Sequence, residues 1–214
     1  MVPGSIPQKT VERLILYRRN LLDQGQKEGG IFSHQLAKML GSTPAQVRRD
    51  LMAIGYSGSP AHGYEIPKLI HSIGQVIDAE DKQCVALVGV GNIGRAILDY
   101  FHGRREKLDI SVLFDIDPEK VNRVLHGIRC YHVDQMQETI REHNIRIGII
   151  TVPGSIAQSV AEQLTHAGVT GILNYAPVKL ELPPDIYIEN KDMTMSIEKV
   201  AYFARKIVES GART

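Results

Sequence analysis

The spacing of apolar residues changes character along the chain. Up to residue 77, apolar residues recur at steps of three and four, which is typical of amphipathic helices. From residue 84 onward, short strand-like apolar runs alternate with helical stretches. We therefore predict a helical domain over residues 1–78 and an α/β domain over residues 84–191, with the boundary in the polar stretch between them.

Two helices are predicted before the first tight turn. The first carries its apolar stripe between Val11 and Leu22 and should end near Gly25. The second should have Ser33 as its N-cap and should end at Gly41, because glycine readily adopts the left-handed conformation that follows many helices.

A third predicted helix has a sharply defined start. Thr43 is suited to cap it, Pro44 to occupy its first position, and Gln46 is spaced to complete a capping box. Because only a tight turn fits between Gly41 and Thr43, the second and third helices should cross steeply, as in a helix-turn-helix.

The start of the third helix is a candidate surface for contact with duplex DNA. Gln46, Arg48 and Arg49 point away from its apolar face, at the end that contacts base edges when such a helix enters a major groove. The same side chains are equally compatible with the solvated surface of a small helical bundle. Residues 55–64, GYSGSPAHGY, favour a hairpin or wing, and a linking helix is predicted over 66–77.

Charge and composition narrow the class of protein only modestly. The chain carries +1 overall, with nine basic against five acidic residues in 1–68 and sixteen against nineteen in 69–214, a bias that slightly favours nucleic-acid binding in the first part. We expect a cytoplasmic protein, because no run of 18 apolar residues is present and the first residues lack the apolar core of an export signal. Cys84 and Cys130 lack metal-ligand spacing, so we expect no metal and buried, unreactive thiols, with a thiol switch as the alternative.

The stretch VALVGVGNIGRAILDYF, residues 85–101, has the pattern of a dinucleotide-binding loop. Gly89 permits a tight turn, Gly91 lets a pyrophosphate approach the backbone, and Gly94 lets helix and strand pack closely. Asp115 ends the next strand, where it should accept hydrogen bonds from the adenosine ribose and repel a 2′-phosphate, which favours NAD(H) over NADP(H). A glycine-rich turn that binds no ligand is the alternative.

The alternation of strands and helices predicts a Rossmann-like, doubly wound parallel sheet. We expect strands at CVALVG, DISVLFD, IRCYHV, IRIGIITV, GILNY and IYIEN. One of the helices between them should follow Pro118. Pro153 and Pro177 follow strand ends at the edge where such sheets bind ligands, although each is equally compatible with a purely structural role in ending its strand.

The pattern leaves no room for a substrate domain. The predicted strands and helices use residues 84–190, and the remaining helix, 196–210, carries a single apolar stripe that a partner subunit could cover. None of the eight histidines follows a strand end that faces the crevice, so we expect no catalytic residue and a cofactor that acts as a signal. The alternatives are a small NAD-dependent oxidoreductase and a nucleotide-sensing regulatory subunit without DNA binding.

Eight motifs occur together over essentially the whole chain. They are RLILYRRNL at 13–21, VRRDL at 47–51, the glycine-spaced wing at 55–64, GVGNIG at 89–94, FDIDP at 114–118, ITVPGSIAQ at 150–158, GILNYAPVKL at 171–180 and ENKDM at 189–193. In this combination the chain resembles the Rex family of bacterial redox-sensing transcriptional repressors. It departs from the usual family pattern at Arg49, Ile54, Ala61 and Tyr175.

The resemblance implies a homodimer whose winged-helix domains bind a twofold-symmetric operator, while its Rossmann domains sense the ratio of NADH to NAD+ and NADH binding releases the DNA. It also implies that residues 192–214 form a helix exchanged between subunits, and that Arg19, Tyr100 and Asp192 join the DNA domain, the cofactor pocket and the partner. The predicted DNA-contacting residues are Ser33, Lys38, Thr43, Gln46, Arg48 and Arg49. The predicted cofactor-binding residues are Gly89, Gly91, Asn92, Ile93, Gly94, Tyr100, Asp115, Val152, Pro153, Asn174, Tyr175, Ala176 and Pro177.

Overall fold

The chain folds as two compact units, Met1–Glu80 and Asp81–Thr214. The computed structural model describes residues 6–23, 29–101 and 107–211. The finer division into residues 1–78, 84–191 and 192–214 stays a prediction.

The described residues of the first unit form four helices and a short antiparallel ladder. Its elements are α1 (Gln8–Asp23), β1 (Gly30–Ile31), α2 (Ser33–Met39), α3 (Pro44–Ala53), β2 (Tyr64–Glu65) and α4 (Ile66–Ile77), with β1 paired to β2. The helices pack around a core in which Leu14, Leu36, Leu51 and Ile73 have no exposed surface. The helix-turn-helix and the linking helix follow the prediction, whereas the expected end of the first helix near Gly25 lies outside the described residues.

The start of α2 differs from the prediction by one residue. The helix begins at Ser33, so Phe32 rather than Ser33 is its N-cap. The Gln35 side chain supplies the cap, because its Oε1 accepts a hydrogen bond from the Phe32 N–H at 2.8 Å. The Ser33 hydroxyl instead accepts a hydrogen bond from Arg48 of α3 at 3.1 Å.

The start of α3 confirms half of the predicted capping box. Thr43 is the N-cap, with its Oγ1 accepting from the Gln46 N–H at 3.2 Å, and Pro44 is the first helical residue. The other half is wrong, because the Gln46 side chain turns along the helix and donates to Asp50 (Nε2 to Oδ1, 2.9 Å). A buried carboxylate one turn away is the stronger acceptor for this amide.

Residues 55–64 form the predicted hairpin. Ser59 and Gly63 exchange backbone hydrogen bonds of 2.8 and 2.7 Å. Gly63 has φ +71°, and a Cβ at this position would lie 2.6 Å from the Ile31 carbonyl oxygen. Glycine is therefore required where the hairpin returns to β1.

The second unit is centred on a seven-stranded sheet. Its strands are β3 (Gln83–Val88), β4 (Leu108–Asp115), β5 (Val124–Leu125), β6 (Ile128–His132), β7 (Ile147–Ile150), β8 (Gly171–Asn174) and β9 (Tyr187–Asn190). Their order in the sheet is β5-β6-β4-β3-β7-β8-β9, and every neighbouring pair except β5 and β6 is parallel. The chain therefore adds strands first on one side of β3 and then on the other, which is the predicted doubly wound arrangement.

Three helices cover the two faces of this sheet. They are α5 (Asn92–Phe101), α6 (Met136–Glu142), which follows a short 3₁₀ helix, and α7 (Gly154–Ala167). Alternate residues of β3 enter different cores: Val88 packs in the cluster that contains Leu164 of α7, whereas Leu87 packs in the cluster that contains Leu98 of α5. Burial on both faces accounts for the near-continuous apolar sequence of β3.

The helix predicted after Pro118 is wrong, because residues 118–123 form turns. A first turn closes on the Asp117 carbonyl, but Asn122 then adopts φ +62° and its N–H donates to the Cys130 carbonyl at 2.8 Å. Pairing with the strand that contains Cys130 uses the backbone groups that a second helical turn would need.

The last helix is α8 (Met193–Glu209), and it begins before the predicted residue 196. Its start is set by Asp192, whose carboxylate accepts a hydrogen bond from the Met195 N–H at 2.9 Å. No residue of α8 is buried. Among the described residues, no helix combines the length and the apolar character needed to cross a membrane.

Candidate functional site

The glycine loop between β3 and α5 is shaped by two glycines and left open by a third. Gly89 has φ +93°, and a Cβ there would lie 2.8 Å from Val152 Cγ1. A Cβ on Gly94 would collide with the Gly89 carbonyl oxygen, so α5 packs against the loop only with glycine at this position. By contrast, no heavy atom of the described residues lies within 4 Å of a Cβ built on Gly91. The loop thus presents an open stretch of backbone at the start of α5, the geometry in which helix N-termini bind phosphate groups.

Asp115 fixes the glycine loop from the end of the neighbouring strand. The residue is 8% exposed, and its Oδ2 accepts a hydrogen bond from the Val90 N–H at 2.7 Å. Its Oδ1 accepts from the Asp117 N–H at 2.9 Å, and Lys120 Nζ lies 3.3 Å from Oδ2. A carboxylate has about four lone-pair sites, so these three donors leave capacity for a further one.

Lys120 also links Asp115 to the partly exposed Asp117, whose carboxylate lies 3.1 Å from the Lys120 ammonium. Hydrogen bonding to Asp117, together with the charges of both carboxylates, raises the pKa of Lys120 despite its partial burial. The Glu119 N–H and then Lys120 lower the pKa of Asp117. The cluster carries two carboxylates and one ammonium, so it retains the negative charge that discriminates against a 2′-phosphate.

The loop after β7 contacts the glycine loop through a residue that the sequence analysis did not select. Thr151 Oγ1 lies 2.6 Å from the Gly89 carbonyl oxygen and 3.0 Å from that of Val88, and its N–H donates to the Val88 carbonyl at 2.9 Å. Val152 and Pro153 follow, and Pro153 leads directly into α7. The clue in the sequence was weak, because a threonine after a strand is common; only the parallel pairing of β3 with β7 brings the two loops together.

The turn after β8 is held by a single buried amide. Asn174 is 0% exposed, and its Nδ2 lies 2.9 Å from both the Val178 carbonyl oxygen and Asn190 Oδ1, while its Oδ1 accepts from the Ala176 N–H at 2.9 Å. Asn174 therefore shapes the Tyr175–Pro177 turn through bonds within the protein. A Cβ on Gly154 would lie 2.9 Å from Val178 Cγ1, so the turn packs on the start of α7.

Apart from Tyr100, the predicted cofactor residues lie at or just after the carboxyl ends of β3, β4, β7 and β8. The strand order changes direction between β3 and β7, and open α/β sheets bind ligands at this switch point. Asn92 and Ile93 are exposed in the first turn of α5, and Tyr100 is 55% exposed in its last turn. Their contribution to binding stays a prediction.

The predicted DNA-contacting residues lie on α2 and α3 of the first unit, apart from Thr43, which caps α3. Lys38, Arg48 and Arg49 are exposed. Arg48 Nη1 donates to the Ser33 hydroxyl at 3.1 Å, and Arg49 Nη2 donates to Gln46 Oε1 at 3.0 Å. Both guanidinium groups are thus held by neighbours at the exposed start of α3.

The predicted switch residues belong to both units. Arg19 is exposed on α1 in the first unit, whereas Tyr100 and Asp192 belong to the second. Asp192 caps α8. The network that would join the three residues stays a prediction.

A buried charge cluster beneath α3 was missed in the sequence analysis. Asp50 is 1% exposed and accepts two hydrogen bonds from Arg13 of α1, at 2.6 and 2.7 Å, and one from the Tyr17 hydroxyl at 3.0 Å. Burial opposes ionisation, but the donors outweigh it and lower the pKa of Asp50; burial and Asp50 together raise the pKa of Tyr17. The signal was present, since Asp50 occupies an apolar-face position of α3 between Val47 and Leu51.

The thiols and the potential metal ligands show no reactive arrangement among the described residues. Cys130 is buried, and burial, followed by the charge of Asp115, raises its pKa to about 11. Cys84 is partly buried. In the described ranges, no group of three or more His, Cys, Asp or Glu side chains is placed to hold a metal ion.

Family models and curated relatives match both units of the chain. A model described as a CoA binding domain covers residues 80–178, and one described as a putative DNA-binding protein N-terminus covers residues 5–51. The redox-sensing transcriptional repressor Rex of Syntrophobacter fumaroxidans is 37% identical over 201 residues, which cover 93% of this chain and 96% of the relative. The Rex repressor of Brevibacillus brevis is 38% identical over 199 residues, which cover 92% and 96%.

Solved structures of a Rex-family repressor also match the chain. The crystal structure of RSP in complex with β-NAD+ and operator DNA matches with a TM-score of 0.85 at 28% identity, over 96% of this chain and 94% of that chain. RSP is described as a Rex-family repressor, and its complex with β-NADH matches with a TM-score of 0.83 at 25% identity, over 97% and 99%. The fold class and the family resemblance predicted from the motifs are thereby confirmed. The chain belongs to the Rex family of redox-sensing transcriptional repressors.

Proposed function

We propose that this chain is a DNA-binding repressor that binds operator DNA through α3 and leaves it when NADH occupies the crevice of the second unit. One observation carries the proposal: a single chain holds both a helix-turn-helix with exposed arginines and a glycine-lined nucleotide crevice. RSP, which matches over both units, has been crystallised with operator DNA and β-NAD+ and separately with β-NADH.

The residues of the crevice fit a dinucleotide. The open backbone face at Gly91 and the start of α5 would receive the pyrophosphate. Asp115 would accept a hydrogen bond from an adenosine ribose hydroxyl with its remaining lone pair, and its charge favours NADH and NAD+ over their 2′-phosphorylated forms. The Asn174-supported turn would border the nicotinamide.

The contact surface for DNA would comprise the exposed start of α3 and the adjoining α2. Arg48 and Arg49 supply the donors that suit base edges and phosphates, and Lys38, Ser33 and Thr43 supply further phosphate contacts. Because phosphate contacts release counterions, affinity for the operator should fall steeply with salt.

We further propose a homodimer in which α8 is exchanged. The stripe formed by Ile197, Val200, Phe203 and Ile207 is between 49% and 69% exposed in the single chain, which is unusual for an amphipathic helix of a monomer. A second copy would bury it. The double variant Val200→Asp, Phe203→Asp should run as a monomer in size-exclusion chromatography with light scattering, and a persistent dimer would refute the exchange.

The proposed switch is an equilibrium between two arrangements of the dimer. One sets the recognition helices about 34–36 Å apart, to fit successive major grooves, and the other does not. NADH shifts the equilibrium only as far as its affinities for the two arrangements differ. Binding linkage is reciprocal, so operator DNA must weaken NADH binding by the factor by which NADH weakens operator binding. Equal NADH affinity with and without operator duplex would rule out this function.

We further propose that this chain regulates and, unlike a dehydrogenase of similar fold, does not catalyse hydride transfer. Residues 84–191 supply the sheet and its helices, and the described part of the second unit has only the single helix α8 left over, which is too little to form a separate substrate domain. NADH absorbance should stay constant in the presence of candidate carbonyl compounds, and steady oxidation would favour the oxidoreductase. As a repressor of operator DNA, the protein would act in the cytoplasm, where bacterial DNA lies.

A further inference from the structure

The recognition helix α3 carries a carboxylate that points into the protein. Asp50 accepts hydrogen bonds from Arg13, Tyr17, Thr10 and Gln46, with donor to acceptor distances between 2.6 and 3.2 Å. Three of these residues belong to α1 and join the two helices. The fourth, Gln46, lies one turn earlier on α3 itself, within the surface predicted to meet DNA.

The chemistry of Asp50 decides how the Gln46 amide is oriented. An ionised carboxylate accepts hydrogen bonds and donates none, so Gln46 must turn its NH₂ group inward, as the 2.9 Å contact from Nε2 to Asp50 Oδ1 shows. Its carbonyl oxygen is consequently turned outward. The opposite orientation would set two acceptors against each other.

The outward oxygen of Gln46 holds Arg49. Arg49 Nη2 donates to Gln46 Oε1 at 3.0 Å, and its remaining N–H groups stay available for other acceptors. An exposed arginine otherwise samples many rotamers, and a bound partner reduces that freedom before DNA arrives. Arg48, the other arginine at this end of α3, is held by Ser33 and has no such link to the buried charge.

Resting on the proposed function, we infer that Asp50, Gln46 and Arg49 form a relay that presents Arg49 to a guanine of the operator. Gln46 is then a positioning residue and not a reader of bases. A glutamine reads adenine with its donor and its acceptor together, and here Asp50 and Arg49 already engage both ends of the amide. Arg49 retains the paired donors that match O6 and N7 of guanine.

The test measures base discrimination by the full-length protein. The probe is a duplex selected by the wild-type chain from a random-sequence pool, together with its single base-pair substitutions, and binding is followed by fluorescence anisotropy. Arg49→Ala should abolish discrimination at one G·C pair, which the wild type prefers by about tenfold or more. Gln46→Met should reduce discrimination at that same pair by a comparable factor, while the salt dependence stays unchanged because Arg49 keeps its charge.

Two further variants separate positioning of Arg49 from support of the fold. Gln46→Lys retains a donor toward Asp50 but offers no acceptor to Arg49, so it should also lose discrimination at the G·C pair. In the Arg49→Ala background, Gln46→Met should have no further effect on discrimination, because a relay has no target once Arg49 is gone. Circular dichroism melting should show that both Gln46 variants fold, since Arg13, Tyr17 and Thr10 still bind Asp50.

Several results would overturn the relay. They are unchanged discrimination in either Gln46 variant, a loss at a base pair that Arg49→Ala does not affect, and a uniform loss of affinity across all duplexes. A wild-type chain that selects no duplex would defeat the proposed function as well. Selection by the wild type with unaltered discrimination in the variants would defeat the relay alone.

Discussion

Gly91→Ala should move ligand affinity and stability in opposite directions. The backbone at Gly91 has no positive φ, and a Cβ there would meet no heavy atom of the described part of the chain within 4 Å. Alanine thus fits the folded chain without strain and restricts only the unfolded one, which is typically worth about 0.4–1 kcal/mol of stability. For a protein of this size the melting temperature should rise by about 1–4 °C.

The pyrophosphate of a bound dinucleotide would occupy the space that is open beside Gly91 in the free protein. A methyl group at Gly91 would hold the phosphates away from the backbone at the start of α5. Each hydrogen bond to a charged group contributes about 1.5–3 kcal/mol, so the loss of one should weaken NADH binding by about 10- to 150-fold.

The assay pairs a fluorescence titration of NADH with thermal unfolding of the ligand-free protein. Gly171→Ala is the matched control, because a Cβ there lies 3.9 Å from the Arg146 carbonyl oxygen and therefore also fits. Gly171 is the first residue of β8, so it lies at the amino ends of the strands, whereas the crevice lies at their carboxyl ends. The control should leave NADH affinity unchanged. If Gly91→Ala binds NADH as tightly as the wild type, the pyrophosphate does not lie against this loop and the assignment of the crevice fails.

Three further predictions concern buried groups. Asn174→Ala should lower the free energy of unfolding by about 1–3 kcal/mol, because it leaves the Ala176 N–H without its partner, and an unchanged urea midpoint would contradict this. The pKa of Asp50 is lower in the folded chain than the unfolded value of about 3.9, so its stabilisation is present above that pH and is lost as pH falls through the folded pKa. The wild type should therefore lose more melting temperature than Asp50→Asn between about pH 6 and pH 3, and equal losses would refute the role of the charge. Burial raises the pKa of Cys130 to about 11, so a disulfide reagent at neutral pH should label it only in urea, as mass spectrometry can check; rapid labelling of the native protein would argue against an inert thiol.

Local sequence signals predicted those elements whose residues interact with near neighbours in the chain. The Thr43 and Pro44 start of α3 is an example, because a cap and a first-turn proline act within four residues. The segment after Pro118 is the counterexample. Its helix-like pattern competes with pairing to β6, and that pairing depends on a strand that the local pattern does not include.

The residues of the candidate crevice also differ in whether the local sequence could reveal them. Gly89, Gly91 and Gly94 were recognisable because their spacing encodes a turn, an open face and a close packing within six residues. Thr151 was not, because its contact with the Gly89 carbonyl exists only once β3 and β7 lie side by side. The engagement of Asn174 with Asn190 likewise requires β8 and β9 to pair.

The amino-acid sequence by itself determined the helix-turn-helix, the doubly wound sheet, the glycine loop and the family. These properties follow from periodicity and from short motifs, which act through the local backbone. The tertiary structure alone decided that Asp50 pairs with Arg13 of α1, that it orients Gln46, and that Asp115 holds the glycine loop as well as facing the crevice. A hydrogen bond forms between groups that the fold brings within about 3 Å, whatever their separation along the chain, and no local pattern specifies that distance.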